Sequence, residues 1–160
     1  MKNIIITLVV LSTSIYASTI GAITALTGKA NIKRGGSLLT AHLGDKLQER
    51  DSILTKDKSK VQIIFNDETI ITVGKNSNFS ISEYVYEDNN PKPSAKFGLI
   101  RGAMRTITGK IGKIAPERFS VKTNTTTIGI RGTNFTIRGA GSAGQQQVYC
   151  TFGAVDVKVL

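Results

Sequence analysis

The stretch that decides the fold is Ile128-Gly129-Ile130-Arg131-Gly132-Thr133-Asn134-Phe135. Ile128 and Ile130 are two positions apart, so their side chains lie on the same face of an extended strand. Gly132 supplies backbone conformations that other residues resist, which predicts a tight turn at this point. The segment therefore indicates a β-strand that meets a glycine turn.

Alternating apolar residues recur on both sides of this stretch, and glycine or polar residues separate the runs. The sets are Ala30 and Ile32; Val61, Ile63 and Phe65; Ile71 and Val73; Phe79 and Ile81; Ala95, Phe97 and Leu99; Val148, Cys150 and Phe152; and Val155, Val157 and Val159. A period of two is typical of strands, and a helical period is hard to find. The sequence predicts an all-β domain in which each set lies on one face of a strand.

An internal echo adds to this pattern. Ile100-Arg101-Gly102 recurs as Ile130-Arg131-Gly132, and Thr106-Ile107 recurs as Thr136-Ile137. The constant offset fits stacked β coils, but two similar hairpins in a sandwich, or coincidence, explain it equally well.

Length and rare residues limit the classes of function. The 160 residues suffice for one domain of ordinary size. His42 is the single histidine and Cys150 the single cysteine, which excludes an intrachain disulfide and a Cys/His zinc site. We expect Cys150 to be a small buried core residue rather than a reactive thiol, because it shares an apolar face.

A catalytic dyad or triad would have to use His42. Asp45 lies three residues further on, but the chain has no Gly-x-Ser-x-Gly motif, so His42 is interpreted as a loop residue before a turn. The acids Asp51, Asp57, Asp67 and Glu68 lack the spacing of a calcium loop. The sequence therefore predicts a binding module without catalytic residues, cofactor or metal.

The N-terminus predicts export. A positive charge at Lys2 precedes an apolar run from Ile4 to Leu11, and Ala17 is a plausible cleavage point. We expect residues 1–17 to be a Sec-type signal peptide and residues 18–160 to form the domain, in the periplasm or secreted. The alternative is an uncleaved anchor in the inner membrane, since no charge occurs from Ile4 to Thr27.

The basic surplus is uneven along the chain. Lysine and arginine number 21 against 11 acids, for a net charge of +10, and cations are frequent from Lys96 to Lys122. The candidate contact face comprises Arg105, Lys110, Lys113 and Arg118, with Gly109 to Pro116 interpreted as a lysine-bearing loop. Such a face would hold an anionic glycan, lipid phosphate or an acidic protein, or it is simply solvated. Nucleic acid is not expected, because export and the sparse aromatics argue against it.

From about Leu26 onward, the ordered motifs resemble the FecR domain, an extracytoplasmic part of ferric-citrate-type sensor proteins. Ile130, Arg131, Gly132, Thr133 and Phe135 are similar to its RGT-x-F signature. Gly44 and Asp45, Arg101 and Gly102, and the closing Phe152–Val157 continue it. The resemblance implies a single β-solenoid-like or twisted β-sandwich domain without enzyme activity. Glu68 stands where the family usually has glycine, so we expect another turn geometry there.

Two roles are open for Arg131. It would brace neighbouring strands, for example through Asp45, Asp51 or Asp67, or it would be exposed and hold an anionic partner. We favour the structural role for these motif residues, because turn chemistry explains Gly132.

The predicted function is a non-catalytic interaction or signal-relay module that contacts another envelope protein. Candidate contact regions are the Glu87–Pro93 loop, the Gly109–Pro116 loop, the Gly139–Gly144 tip and an open strand edge. The alternative is an envelope module that binds anionic glycan or lipopolysaccharide. The sequence does not set the oligomeric state.

Overall fold

The structure is a computed structural model that describes residues 18–87, 91–141 and 146–160. Its strands are β1 (Gly21–Thr27), β2 (Ala30–Arg34), β3 (Ser37–Thr40), β4 (Lys46–Leu47), β5 (Ser52–Thr55), β6 (Lys60–Phe65), β7 (Ile70–Val73), β8 (Asn78–Val85), β9 (Ser94–Ile107), β10 (Phe119–Lys122), β11 (Thr126–Ala140) and β12 (Gln147–Val159). A helix, α1 (Lys110–Ile114), and a 3-10 turn (Pro116–Arg118) connect β9 to β10. The predicted signal segment, residues 1–17, lies outside the described residues.

Strand β9 organises the sheet because its two parts have different neighbours. The first part pairs with β8 in antiparallel and with β10 in parallel orientation. The second part pairs in antiparallel orientation with β7 and β11. Two arms therefore branch from β9, one running β8-β5-β2-β3 and the other β7-β6-β1-β4. The all-β prediction is confirmed, and the sheet is a curled, largely antiparallel one.

Gly102 separates the two parts of β9. Its φ of +96° lies in the left-handed region, which a residue with a Cβ adopts only with strain. Gly132, with φ of +57°, lies at a register shift inside β11. The predicted tight turn at Gly132 is wrong: the glycine forms a bulge within a long strand, because β11 stays paired with β12 on both sides of it. Gly102 likewise lies within a long strand, β9, although β9 exchanges its neighbours at this point.

The internal echo is explained by these two strands. Arg101-Gly102 lies on β9 and Arg131-Gly132 on β11, and the two strands run in opposite directions where they pair. β9 changes both of its neighbours at Gly102, and β11 changes one neighbour, from β10 to β9, at Gly132. The repeated motif therefore marks two bends of the curled sheet.

Aromatic side chains fill the space between the arms. The ring of Phe97 on β9 lies 5.1 Å from Phe65, 5.5 Å from Phe79 and 5.5 Å from Phe119 between centroids. Phe65 on one arm also stacks on Tyr84 of the other at 5.2 Å. These distances are typical of favourable aromatic pairs. The alternating residues predicted for β2, β6, β7, β8 and β9 are buried here, as expected.

A buried carboxylate connects the β6–β7 turn to α1. Asp67 is fully buried, and it accepts hydrogen bonds from the Tyr84 hydroxyl (2.9 Å), the Thr69 hydroxyl (2.7 Å) and the Ile111 amide (3.2 Å). The Tyr84 hydroxyl in turn accepts from the Asp67 amide at 2.9 Å. Because a buried polar group needs partners, this network fixes the turn and the start of α1 together.

The different turn geometry predicted at Glu68 is wrong. The φ of Glu68 is +68°, so the turn keeps the left-handed conformation that favours glycine and does not adopt another geometry. The reason lies in its neighbours: the Phe65 amide donates to the Thr69 carbonyl at 2.9 Å, and the Glu68 amide donates to the Phe65 carbonyl at 2.9 Å. These bonds and the buried Asp67 hold the turn closed and force Glu68 into it.

The loop predicted from Gly109 to Pro116 is also wrong. Most of this region forms the short helix α1, in which Ile111 is fully buried while Ile114 is 66% exposed. The amides of Lys110 and Ile111 bond to Asp67, which turns the chain into the helix. Lys110 and Lys113 are consequently placed on a helical turn.

We expect the two motif glycines to differ in their tolerance of alanine. Gly132→Ala should cost about 1–2 kcal/mol of unfolding free energy, the cost of a left-handed residue, because nothing lies within 4 Å of its added Cβ. Gly102→Ala should cost about 1–3 kcal/mol more, because its Cβ would overlap the Ser77 hydroxyl and lie 2.6 Å from the Ser77 Cα. Urea unfolding measures both; equal losses would contradict this account of β9.

Tyr84→Phe should destabilise the fold by about 1–3 kcal/mol at neutral pH, because Asp67 loses a buried donor. Burial, with the charge of Asp67, raises the pKa of Tyr84 above its ordinary value of 10.0. The stabilisation is therefore complete below pH 10.0 and is lost as the pH rises above it, where only the unfolded tyrosine ionises.

The measurement is urea unfolding of the wild type and Tyr84→Phe across this pH range, with Tyr149→Phe as the control. Tyr149 is 47% exposed, so its removal should leave the pH dependence unchanged. The difference in unfolding free energy between the wild type and Tyr84→Phe should become smaller at alkaline pH. A constant difference would show that Tyr84 is not protected from ionisation.

Candidate functional site: the β12 edge and its groove

Strand β12 is exposed along most of its length, unlike the other long strands. Its ladder pairs it with β11 alone. Of the residues of β12 only Val148 and Val155 are partly buried, and both pack against the core. Five of the six phenylalanines are fully buried or nearly so, whereas Phe152 is 75% exposed. Val157 and Val159 are 43% and 75% exposed. An edge strand with this much apolar surface is unusual for a monomer.

The backbone of β12 offers a free row of hydrogen-bonding groups. The Leu160 amide donates to the Thr125 carbonyl at 2.9 Å, so Leu160 points its amide toward β11. The register is constant from Val159 opposite Thr126 to Ala154 opposite Arg131. Because antiparallel residues alternate in direction, Lys158, Asp156 and Ala154 also point toward β11. The amides and carbonyls of Val155, Val157 and Val159 point outward, away from the sheet.

A groove of about 940 Å³ lies beside this edge. Helix α1 and the 3-10 turn contribute Lys113 and Glu117 to its lining, and β11 and β12 contribute Arg131, Asp156 and Lys158. Among the described residues, Lys113, Arg131, Asp156 and Lys158 form no ion pair. The groove thus carries charges of both signs that are available to a ligand.

Two expectations for β12 are wrong. Cys150 is exposed rather than part of the core, and its thiol lies 3.2 Å from the Phe152 carbonyl. The apolar sets containing Phe152, Val157 and Val159 do lie on a strand, but the strand extends past the core and leaves them exposed. Alternation identified the strand correctly; it did not reveal that one long edge lacks a neighbour.

The bracing role expected for Arg131 is also wrong. Its side chain is exposed, and it makes no hydrogen bond or ion pair with the described residues. Asp51, one expected partner, is paired with Arg34 through two bonds of 2.8 and 2.7 Å, and the hydrogen bond to Asp51 raises the pKa of Arg34. Asp67 belongs to the buried network of Tyr84. Arg131 instead lines the groove.

The other motif residues lie in the core, in a turn or on the surface. Ile130, Thr133 and Phe135 are buried in the core-facing side of β11, and Gly44 has φ of +88° in a turn. The Asp45 carboxylate accepts from the His42 amide at 2.8 Å, which confirms a loop histidine before a turn. Arg101 is exposed and donates to the Asn76 carbonyl at 3.2 Å.

The candidate basic face is divided in the structure. Arg105 donates to the Asn134 side chain at 3.2 Å on the second part of β9. Lys110 pairs with Glu68 at 3.0 Å, which raises the pKa of Lys110, and Arg118 lies 3.8 Å from Glu117. Of the four predicted cations only Lys113 lines the groove. The described residues contain no cluster of three or more His, Cys, Asp or Glu side chains suited to a metal ion.

A family model of the FecR protein matches residues 51–156, which is most of the chain and includes all of the strands from β5 to β11. The chain belongs to the FecR family. The match includes the signature on β11 and the bend on β9, while Gly44 and Asp45 precede it. No curated protein and no solved structure matches the chain significantly.

FecR domains are extracytoplasmic, signalling-related domains of envelope proteins. Within the described ranges of this FecR domain, no helix has the length and apolar character needed to cross a membrane. The residues that sequence reasoning missed are Asp156 and Lys158, which alternate with the three valines of β12. The alternation of charged residues with valines could have identified β12 as an edge strand, because edge strands often carry such charges.

Proposed function

We propose that this FecR domain is a non-catalytic interaction or signal-relay module of the cell envelope, exported by its N-terminal segment into the periplasm or beyond. Its contact is made by strand addition: an extended segment of another envelope protein pairs with the free edge of β12. The observation that carries this proposal is the outward row of backbone groups at Val155, Val157 and Val159.

Side chains beside this row would give the contact its selectivity. Val157 and Val159 offer apolar surface on one face of β12, and Asp156 and Lys158 line the groove on the other. An added strand would cover the valines and place its alternate side chains along the groove. The affinity would come from main-chain hydrogen bonds, the selectivity from these two faces.

Catalysis has little support in the side chains. His42 is 71% exposed at its side chain, and its neighbour Asp45 lies 3.7 Å from its Nδ1. No described nucleophile contacts this pair, and Cys150 lies on β12, where its thiol meets backbone carbonyls. We therefore assign the domain a binding role without a cofactor.

A second candidate function is binding of an anionic glycan or lipopolysaccharide in the groove. It is favoured by Lys113, Arg131 and Lys158, three unpaired cations in its lining. The adjacent acids Glu117 and Asp156 oppose it, which is why strand addition is preferred.

Val157→Pro should abolish strand addition. Proline removes the outward amide and leaves the bonds to β11 in place, so capture of the partner should fall by about tenfold or more while unfolding free energy changes little. The measurement is crosslinking and pulldown from intact envelopes at high salt, with the captured chain identified by mass.

The matched control is Leu38→Pro on β3, the edge strand of the β8-β5-β2-β3 arm. Leu38 is 60% exposed. The Ala41 amide donates to the Ala30 carbonyl of β2, and the direction of the amides alternates along the strand, so the Leu38 amide, three residues earlier, points outward. Capture should be retained in this variant. Equal capture by wild type, Val157→Pro and Leu38→Pro would refute strand addition at β12.

For the second candidate, Lys113→Ala/Arg131→Ala should weaken lipopolysaccharide binding by about fivefold, since exposed charge contacts are modest. The control Lys33→Ala/Lys75→Ala has the same net charge with both changes outside the groove. Binding assays at low and high salt provide the readout. Binding that survives high salt or ignores both double variants would reject this candidate.

A further inference from the structure

We propose that β12 of a second copy of this chain occupies the same edge when the other envelope protein is absent, in antiparallel register about a two-fold axis at Val157. This inference rests on the proposed function only in using the same edge. It commits the site to one occupant, and three independent features of residues 154–160 support it.

Backbone direction is the first feature. In a two-fold antiparallel pair centred on Val157, Val157 faces its own copy and Val155 faces Val159. These three residues are those whose amides and carbonyls point outward. Each would exchange hydrogen bonds with the residue opposite, as an antiparallel ladder requires. A centre at Asp156 or Lys158 would also match outward groups, but it would place Asp156 opposite Asp156 or Lys158 opposite Lys158, like charges that destabilise a ladder.

Charge complementarity is the second feature. The same register places Asp156 of each copy opposite Lys158 of the other. These are non-hydrogen-bonded positions, where side chains of facing residues come closest. Neither residue has an ion pair within the described chain. The two-fold axis therefore turns two unpaired charges per chain into two opposite-charge pairs per dimer.

Apolar continuity is the third feature. Residues directly opposite in a ladder lie on the same face, so Val155, Val157 and Val159 of both copies form one stripe. Val155 already packs against the core, and Val157 and Val159 are the overhanging exposed residues. On the other face Ala154 lies opposite Leu160, which is 64% exposed. Pairing thus covers the apolar surface that the monomer leaves open.

The bend at Gly153 sets the length of the pairing. Its φ of +79° coincides with the register shift in the β11–β12 ladder, so residues before it change direction. Gly153 therefore limits the pairing segment on its N-terminal side, and the proposed register pairs Ala154 with Leu160. Such a short segment predicts a weak dimer, with a dissociation constant on the order of 10–100 μM, as for small interfaces.

Charge reversal tests the register. Asp156→Lys and Lys158→Asp, each alone, place like charges opposite each other twice, so each should weaken the dimer by about tenfold. An equimolar mixture of the two should regain wild-type association, because the introduced lysine faces the introduced aspartate and native Lys158 faces native Asp156. Sedimentation over a concentration series measures all samples.

Matched controls carry the same charge changes at distant exposed turns. Asp57→Lys and Lys75→Asp should each sediment as the wild type does. A wild type that stays monomeric to about 1 mM, well above the expected dissociation constant, overturns the inference. So does a dimer that both reversals leave unchanged.

A crosslink gives a readout independent of charge. In a Cys150→Ser background, Val157→Cys should form a disulfide-linked dimer under mild oxidation, because facing residues there have Cα atoms about 5.5 Å apart, within disulfide range. Leu38→Cys in the same background should not. If the wild type is monomeric but Val157→Pro loses a captured envelope protein, self-pairing fails and the proposed function stands. If Val157→Pro changes no association at all, both fail.

Discussion

The hydrogen bonding of β9 to four neighbours is the constraint on which the rest of this structure depends. A straight strand has two sides and accommodates two continuous neighbours, whereas β9 pairs with β8 and β10 along one part and with β7 and β11 along the other. The change of neighbours requires the bend at Gly102, and the bend requires a left-handed residue packed against Ser77. The two arms and the aromatic core between them follow from this bend.

The same arrangement explains why the candidate site lies on β12. β10 and β11 are enclosed by the strands that β9 brings together, and the Asp67 network fixes α1 beside them. β12 is attached by β11 alone and extends beyond the core, so its second side has no neighbour among the described strands. The proposed interaction surface is thus the strand edge that lies outside the set of strands paired with β9. Phe152 marks this boundary as the single strongly exposed phenylalanine of the chain.

Alternation was sufficient to predict most strands, because residues such as Val61, Ile63 and Phe65 are buried on one face. Motif order was sufficient to place the chain in its family. Alternation could not distinguish Val157 from Val61, since period two reports which residues share a face and not whether another layer covers it. Likewise the left-handed Glu68 depends on buried Asp67, whose partners Tyr84 and Ile111 are distant in sequence.

The central position of β9 also governs the order in which the molecule can assemble. A chain that emerges from its N-terminus first has completed β1 to β8 before Ser94 appears, yet the two arms meet through a strand that has not been made. Until β9 has been made, Phe65 and Phe79 lack the ring of Phe97, which packs against both of them. Contacts of such long range fold slowly. The first half of the polypeptide therefore remains incompletely packed until β9 has been synthesised.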